Sequence, residues 1–140
     1  MFRVLVPVDG SDNAVRALER AVALVRDRKP FELHLLNVQP SLSGDVTTFV
    51  GSATVRDYHR EEGEKALASA RTMLDRQGIP YTQHVTVGPV GESIAGFAKK
   101  LGCETIIMGT RGMGKIAGAL LGSVSTEVIR HSDVPVTLVK

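Results

Sequence analysis

Five short apolar runs, separated by stretches of helical period, constrain this chain more than any other feature. "FRVLVPV", "ELHLLNV", "YTQHVTV", "ETIIMG" and "PVTLV" are rich in β-branched residues and flanked by turn residues, the pattern of strands in a sheet covered on both faces. Between them, Ala14, Val15, Leu18, Ala21, Val22 and Val25 fall on one helix face, as do Ala66, Leu67, Ala70 and Leu74, and then Ile94, Phe97, Ala98 and Leu101. Ser11 or Asp12 is placed to cap the first helix, Gly78 and Pro80 to end the second, and Gly102 to end the third. A fourth helix opens at Ser123. Strict β-α alternation predicts an α/β fold: a five-stranded parallel sheet with right-handed crossovers and four helices distributed over both faces. Only Gln39 to Arg56 has no period, and its length exceeds an ordinary connection, so it is either disordered or functional, and it reads first as a disordered or passive excursion.

At 140 residues and 43% apolar content the chain suits a single domain over 1–140, with a core that needs no disulfide or metal. Cys103 is the only cysteine, which rules out an internal disulfide and a thiolate zinc site; among apolar neighbours it reads as a buried structural thiol. Net charge is +2, with no cluster of Lys and Arg interleaved with aromatics, so no footprint for nucleic acid is present. "MFRVLVPVDG" has too short an apolar run for a signal peptide, and no later run approaches a membrane span. The expectation is a cytoplasmic protein.

In open parallel sheets ligands bind beyond the carboxyl ends of the strands. Two segments there carry suitable chemistry: "PVDGSD", in which Pro7, Val8 and Asp9 close the first strand, and "MGTRGMGKIAGALLGSVS" after the fourth. The second nearly spells a Walker A loop from Gly109 to Gly114 and Lys115, but Ile116 stands where Ser or Thr should hold magnesium. Read from Gly109 to Gly112 and then to Gly122 and Ser123, the same residues spell G-x2-G-x9-G-S. With that spacing, "VLVPVDGSD", "ETIIMGTRG" and "GSVSTEVIRHSDVPVTLV", the chain resembles the universal stress protein family, in its ATP-binding branch. The resemblance spans essentially the whole chain and implies a Rossmann-like sheet of strand order 3-2-1-4-5. It further implies bound ATP, with AMP or ADP as alternatives and magnesium or manganese left open, and a role as a stress-response regulator with a protein partner it does not identify. By the same resemblance Asp9 lies near the base or ribose, with Val38 against adenine and Met108 beside it.

The residues support a phosphate site on their own chemistry. Gly109 and Gly112 let the backbone approach phosphate and are free to take φ > 0, as is Gly122 at the helix entrance. The amides of Ser123, Val124 and Ser125 are first-turn donors without an intrahelical acceptor, and the helix dipole favours an anion there. The hydroxyls of Ser123 and Ser125 can add to them; Arg111 and Lys115 can neutralise charge, although loop cations are commonly only solvated. Asp9 also fits a turn aspartate bonding its own backbone, and Val38 and Met108 fit plain core packing.

His34, His59, His84 and His131 lack metal-ligand spacing and read as surface or edge residues, and Glu61, Glu62 and Glu64 as a solvated face near a helix start. Nothing in the glycine loop is placed to activate water, so a slow ATPase or self-phosphorylating protein, with Ser123 or Ser125 as acceptor, stands second to a binding module. A receiver-type domain needs an aspartate after the third strand, where this chain has "VTVG". The run "PVTLVK" ends at Lys140 with little to guard an edge, so the last strand is expected to pair with its copy in a homodimer through Val136 and Leu138.

Overall fold

Each of the five apolar runs is a strand in the computed structural model, which describes residues 1–110 and 121–140. Strands β1 (Phe2–Pro7), β2 (Phe31–Gln39), β3 (Thr82–Val87), β4 (Thr105–Gly109) and β5 (Val136–Val139) form one parallel sheet in the order β3-β2-β1-β4-β5. The connections carry α1 (Asp12–Arg26), α2 (Gly44–Val50), α3 (Ser52–Gln77), α4 (Val90–Leu101) and α5 (Ser123–His131).

Successive residues of a strand point to opposite faces, so each interior strand feeds two cores. Val4, Val6, Leu33, Leu35 and Ile107 meet Ala17, Leu18, Leu67 and Leu74 beneath α1 and α3. Leu5, Leu36, Ile106 and Met108 meet Ile94, Ala98 and Val128 beneath α4 and α5. Each fully buried large aliphatic side chain contributes about 1.5–3 kcal/mol, which fixes the alternation read from the sequence. The caps act as expected: Ser11 Oγ accepts from the Ala14 amide at 3.2 Å, and Gly78 and Gly102 end α3 and α4 in the left-handed conformation. Cys103 is buried in the second core, where desolvation pushes its thiol up to about 11. No helix among the described residues is long and apolar enough to cross a membrane.

Three expectations are corrected. The described residues contain five helices, not four, because the supposed excursion from Gln39 to Arg56 holds α2 and the start of α3. Helix α2 buries none of its residues, and Phe49 is 90% exposed, so it leaves no periodic imprint on the sequence. The early start of α3 puts Glu61, Glu62 and Glu64 in mid-helix rather than in the first turn, although the exposure of Glu61 and Glu64 agrees with a solvated face. Finally, His34 and His59 are 6% and 5% exposed: both are buried, not on the surface.

Candidate functional site

Strand β1 is registered with β2 from Phe2 through Pro7, but with β4 only at Val4 and Leu5. Its crossover through α1 leads to one face, while β4 is entered from α4 and left toward α5 on the other. The chains therefore part beyond Leu5 and Ile106, which makes β1/β4 the switch point at which an open α/β sheet forms its crevice. A cleft of about 190 Å³ opens there.

Pro7, Val8 and Asp9 line it from the end of β1, and Val38 from the end of β2. Val8 is fixed by its amide donating to Leu36 O at 2.8 Å and by its carbonyl accepting from Asn37 Nδ2 at 2.8 Å. Asp9 is exposed, and its Oδ1 accepts from the Ser11 amide at 2.9 Å, so the aspartate shapes its own turn as well as facing the cleft. Val38 and Met108 are buried and pack in the α4/α5 core while also reaching the cleft wall.

The opposite wall is Gly109, Gly122, Ser123, Val124 and Ser125. Gly122 is the N-cap of α5, so the three amides after it form the open first turn of that helix and add a positive dipole end to the cleft. Gly122 has φ −74°, and Gly109 is likewise not among the glycines with positive φ, so neither uses the left-handed freedom expected of it. Gly109 is needed for space: a Cβ there would fall 2.2 Å from Asn13 Oδ1. The ends of the intervening loop are tied together, with the Gly122 amide donating to Thr110 O at 2.7 Å and Ser125 Oγ donating to Gly109 O and Thr110 O at 3.0 and 3.1 Å. Ser125 is 2% exposed and its hydroxyl is engaged by these carbonyls, whereas Ser123 is exposed. Arg111, Gly112, Gly114 and Lys115 lie outside the described residues.

The structure thus gathers every described residue expected at the site into one cleft. It adds Ser11, Ala14, Leu36, Asn37, Val90 and Ile94. Asn37 left a signal in the sequence, a polar residue near the end of the apolar run "ELHLLNV"; Ala14, Val90 and Ile94 did not, being indistinguishable from core positions. Among the described residues no group of three or more His, Cys, Asp or Glu is arranged to hold a metal ion.

Sheet order and cleft define a doubly wound α/β protein with a Rossmann-like sheet. The model of the universal stress protein family matches residues 1–140, and the chain belongs to that family. A universal stress protein of Thermus aquaticus is 32% identical, with all of both chains covered. Among solved structures, MJ0577 of Methanocaldococcus jannaschii superposes with a TM-score of 0.86 at 30% identity, covering 99% of this chain and 95% of its own. A universal stress protein in complex with cAMP superposes with a TM-score of 0.74 at 26% identity, covering 99% of this chain and 97% of its own.

Proposed function

We propose that this chain binds an adenine nucleotide, ATP in the first place, in the β1/β4 cleft, and serves as a nucleotide-responsive regulatory protein of a cytoplasmic stress response. The observation that carries the reading is the meeting, in one crevice, of the free first turn of α5 with the apolar ends of β2 and β4. An anion suits the amides of Ser123, Val124 and Ser125. A flat apolar base suits Val38 and Met108, and Asp9 suits ribose hydroxyls as an acceptor. Arg111, Gly112 and Gly114 belong to the same loop and are assigned to the phosphates by its spacing. AMP and ADP would use the same contacts, and a magnesium or manganese ion would enter with the nucleotide. The cAMP bound by a 26% identical relative supports the ligand class.

Among the described residues Asp9 is the one ionisable side chain lining the cleft, which favours binding over rapid hydrolysis. Regulation then acts through the surface offered to a protein partner. Among the described residues strand β5 borders β4 alone and so forms a sheet edge, and its Val136 and Leu138 suit antiparallel pairing with a second copy.

Native mass spectrometry of freshly purified protein tests nucleotide and assembly together: the expected species is a dimer carrying an adenine nucleotide. Titration calorimetry should give a micromolar-scale dissociation constant, and ATP at a hundred times that constant should stabilise the fold by about 2.7 kcal/mol. Gly122→Val places a branched Cβ in the path of the phosphate at a backbone conformation valine accepts, so the variant should fold and lose binding. Undiminished ATP binding by the folded variant would sink the assignment.

A further inference from the structure

Behind the cleft, on the α4 side of the sheet, His34 of β2 and His84 of β3 share a hydrogen bond, with Nδ1 of the first 3.0 Å from Nε2 of the second. His34 is buried, and its Nε2 lies 3.1 Å from Glu32 Oε1. That carboxylate also accepts from Arg3 Nε of β1 at 3.2 Å and is held below the usual range, chiefly by the bond from His34. On the other side the His84 ring packs on Phe97 of α4 with centroids 5.3 Å apart, and Lys100 of α4 stands over Phe97. Cys103, just before β4, lies close enough to Arg3 and Glu32 to feel both charges.

These contacts dictate the proton arrangement. A carboxylate beside His34 Nε2 requires an N–H there, so in the neutral pair His34 Nδ1 is bare and accepts from His84 Nε2–H. One added proton fits on either ring without loss of the shared bond. A second puts hydrogens on both facing nitrogens, and two imidazolium rings then repel across a partly dry contact.

We propose that His34 and His84 form an acid-sensitive latch joining β2, β3 and α4: the pair holds one added proton, and the second opens it. Val90 and Ile94 of α4 line the cleft, so opening loosens one of its walls. Burial first, then the charges of His34 and Lys100, holds His84 below the ordinary imidazole value, in keeping with the geometry.

The sign follows from proton counting. In the open chain both rings protonate near about pH 6.5. The closed pair takes up one proton fewer, so its stability is complete above that value and falls as pH falls below it. The opening constant rises up to about tenfold per pH unit.

Hydrogen exchange of the full chain at pH 7.5, 6.5 and 5.5, corrected for intrinsic rates, tests this with no nucleotide present. Between pH 6.5 and 5.5 the opening constant of Thr82–Val87 and Val90–Leu101 should rise up to about tenfold while β1 stays protected. His84→Gln should abolish the rise, because an amide can present either a donor or an acceptor to His34. Lys100→Gln, which leaves the pair intact, should weaken it. The same pH response in His84→Gln as in the parent, or NMR titrations in which each ring takes up its own proton while both segments stay protected, would overturn the latch.

Discussion

Along β2, strand β1 keeps register from Phe2 to Pro7, while along β4 it keeps register only at Val4 and Leu5. The closed side is continuous ladder and aliphatic packing; the open side is a cleft. Beyond that short ladder the open side is held by individual bonds at the rim. Asn13 Nδ2 donates to Val139 O at 3.0 Å, the Thr110 amide reaches the same carbonyl at 2.9 Å, and Ser125 Oγ ties down Gly109 and Thr110. With the cleft as the proposed nucleotide site, stability and binding draw on different sides of one strand. Substitutions can separate the two.

The largest effect should come from the closed side. Leu35 on β2, opposite Val6, is fully buried among aliphatic neighbours, so Leu35→Ala removes transfer energy and leaves a cavity. Urea unfolding should show a loss of about 2–5 kcal/mol, with nucleotide affinity of the folded fraction unchanged. A loss of affinity as large as the loss of stability would erase the distinction between the sides.

Gly109→Ala probes the rim. Its Cβ would overlap Asn13 Oδ1, with Asn13 Cγ only 2.6 Å away. Overpacking of this kind costs about 1–3 kcal/mol. Since the clash is with one side chain, the double variant Gly109→Ala, Asn13→Ala should be more stable than the sum of the single changes predicts. Strict additivity in chemical denaturation would show that Asn13 is not what excludes a side chain there.

The contrast also separates what was legible in the sequence from what was not. The interior strands β1, β2 and β4 could be read because they bury continuous apolar runs, β3 and β5 because β-branched residues between turn residues mark them, and the packed helices because each buries a periodic face. The cleft residues Pro7, Val8, Asp9 and Gly122 to Ser125 could be read because turn chemistry and glycine spacing mark a strand end and a helix start. Helix α2 was not legible, since none of its residues is buried. The burial of His34 and His59 was not either: a histidine in the apolar run of β2 looks the same whether it meets solvent or, as His34 does, a partner ring across the sheet, and His59 stands in a polar stretch of α3 that gives no sign of burial. One demand on Gly109 was not legible. Spacing marked the residue, but its steric partner, Asn13, comes from a helix far away in sequence, and only the assembled sheet brings them together.

The smallest expected effect on stability, and the sharpest test of the open side, is Ser125→Ala. Its hydroxyl has a single proton, shared between the carbonyls of Gly109 and Thr110. Thr110 O keeps the Gly122 amide as a donor when that hydroxyl is removed, so the rim is weakened but not undone. The net cost to stability should be about 1 kcal/mol, the usual scale for one intramolecular hydrogen bond. Binding should respond more strongly. Without the hydroxyl, the Gly109 carbonyl is free to turn toward the crevice, where its negative end opposes an anion at the first turn of α5. Calorimetry with ATP should therefore show a loss of affinity larger than the loss of folding stability, the reverse of the order expected for Leu35→Ala. If Ser125→Ala weakens folding and leaves ATP affinity at the parent value, the hydroxyl only fastens α5 to β4, and the open side of β1 is held for packing rather than for the ligand.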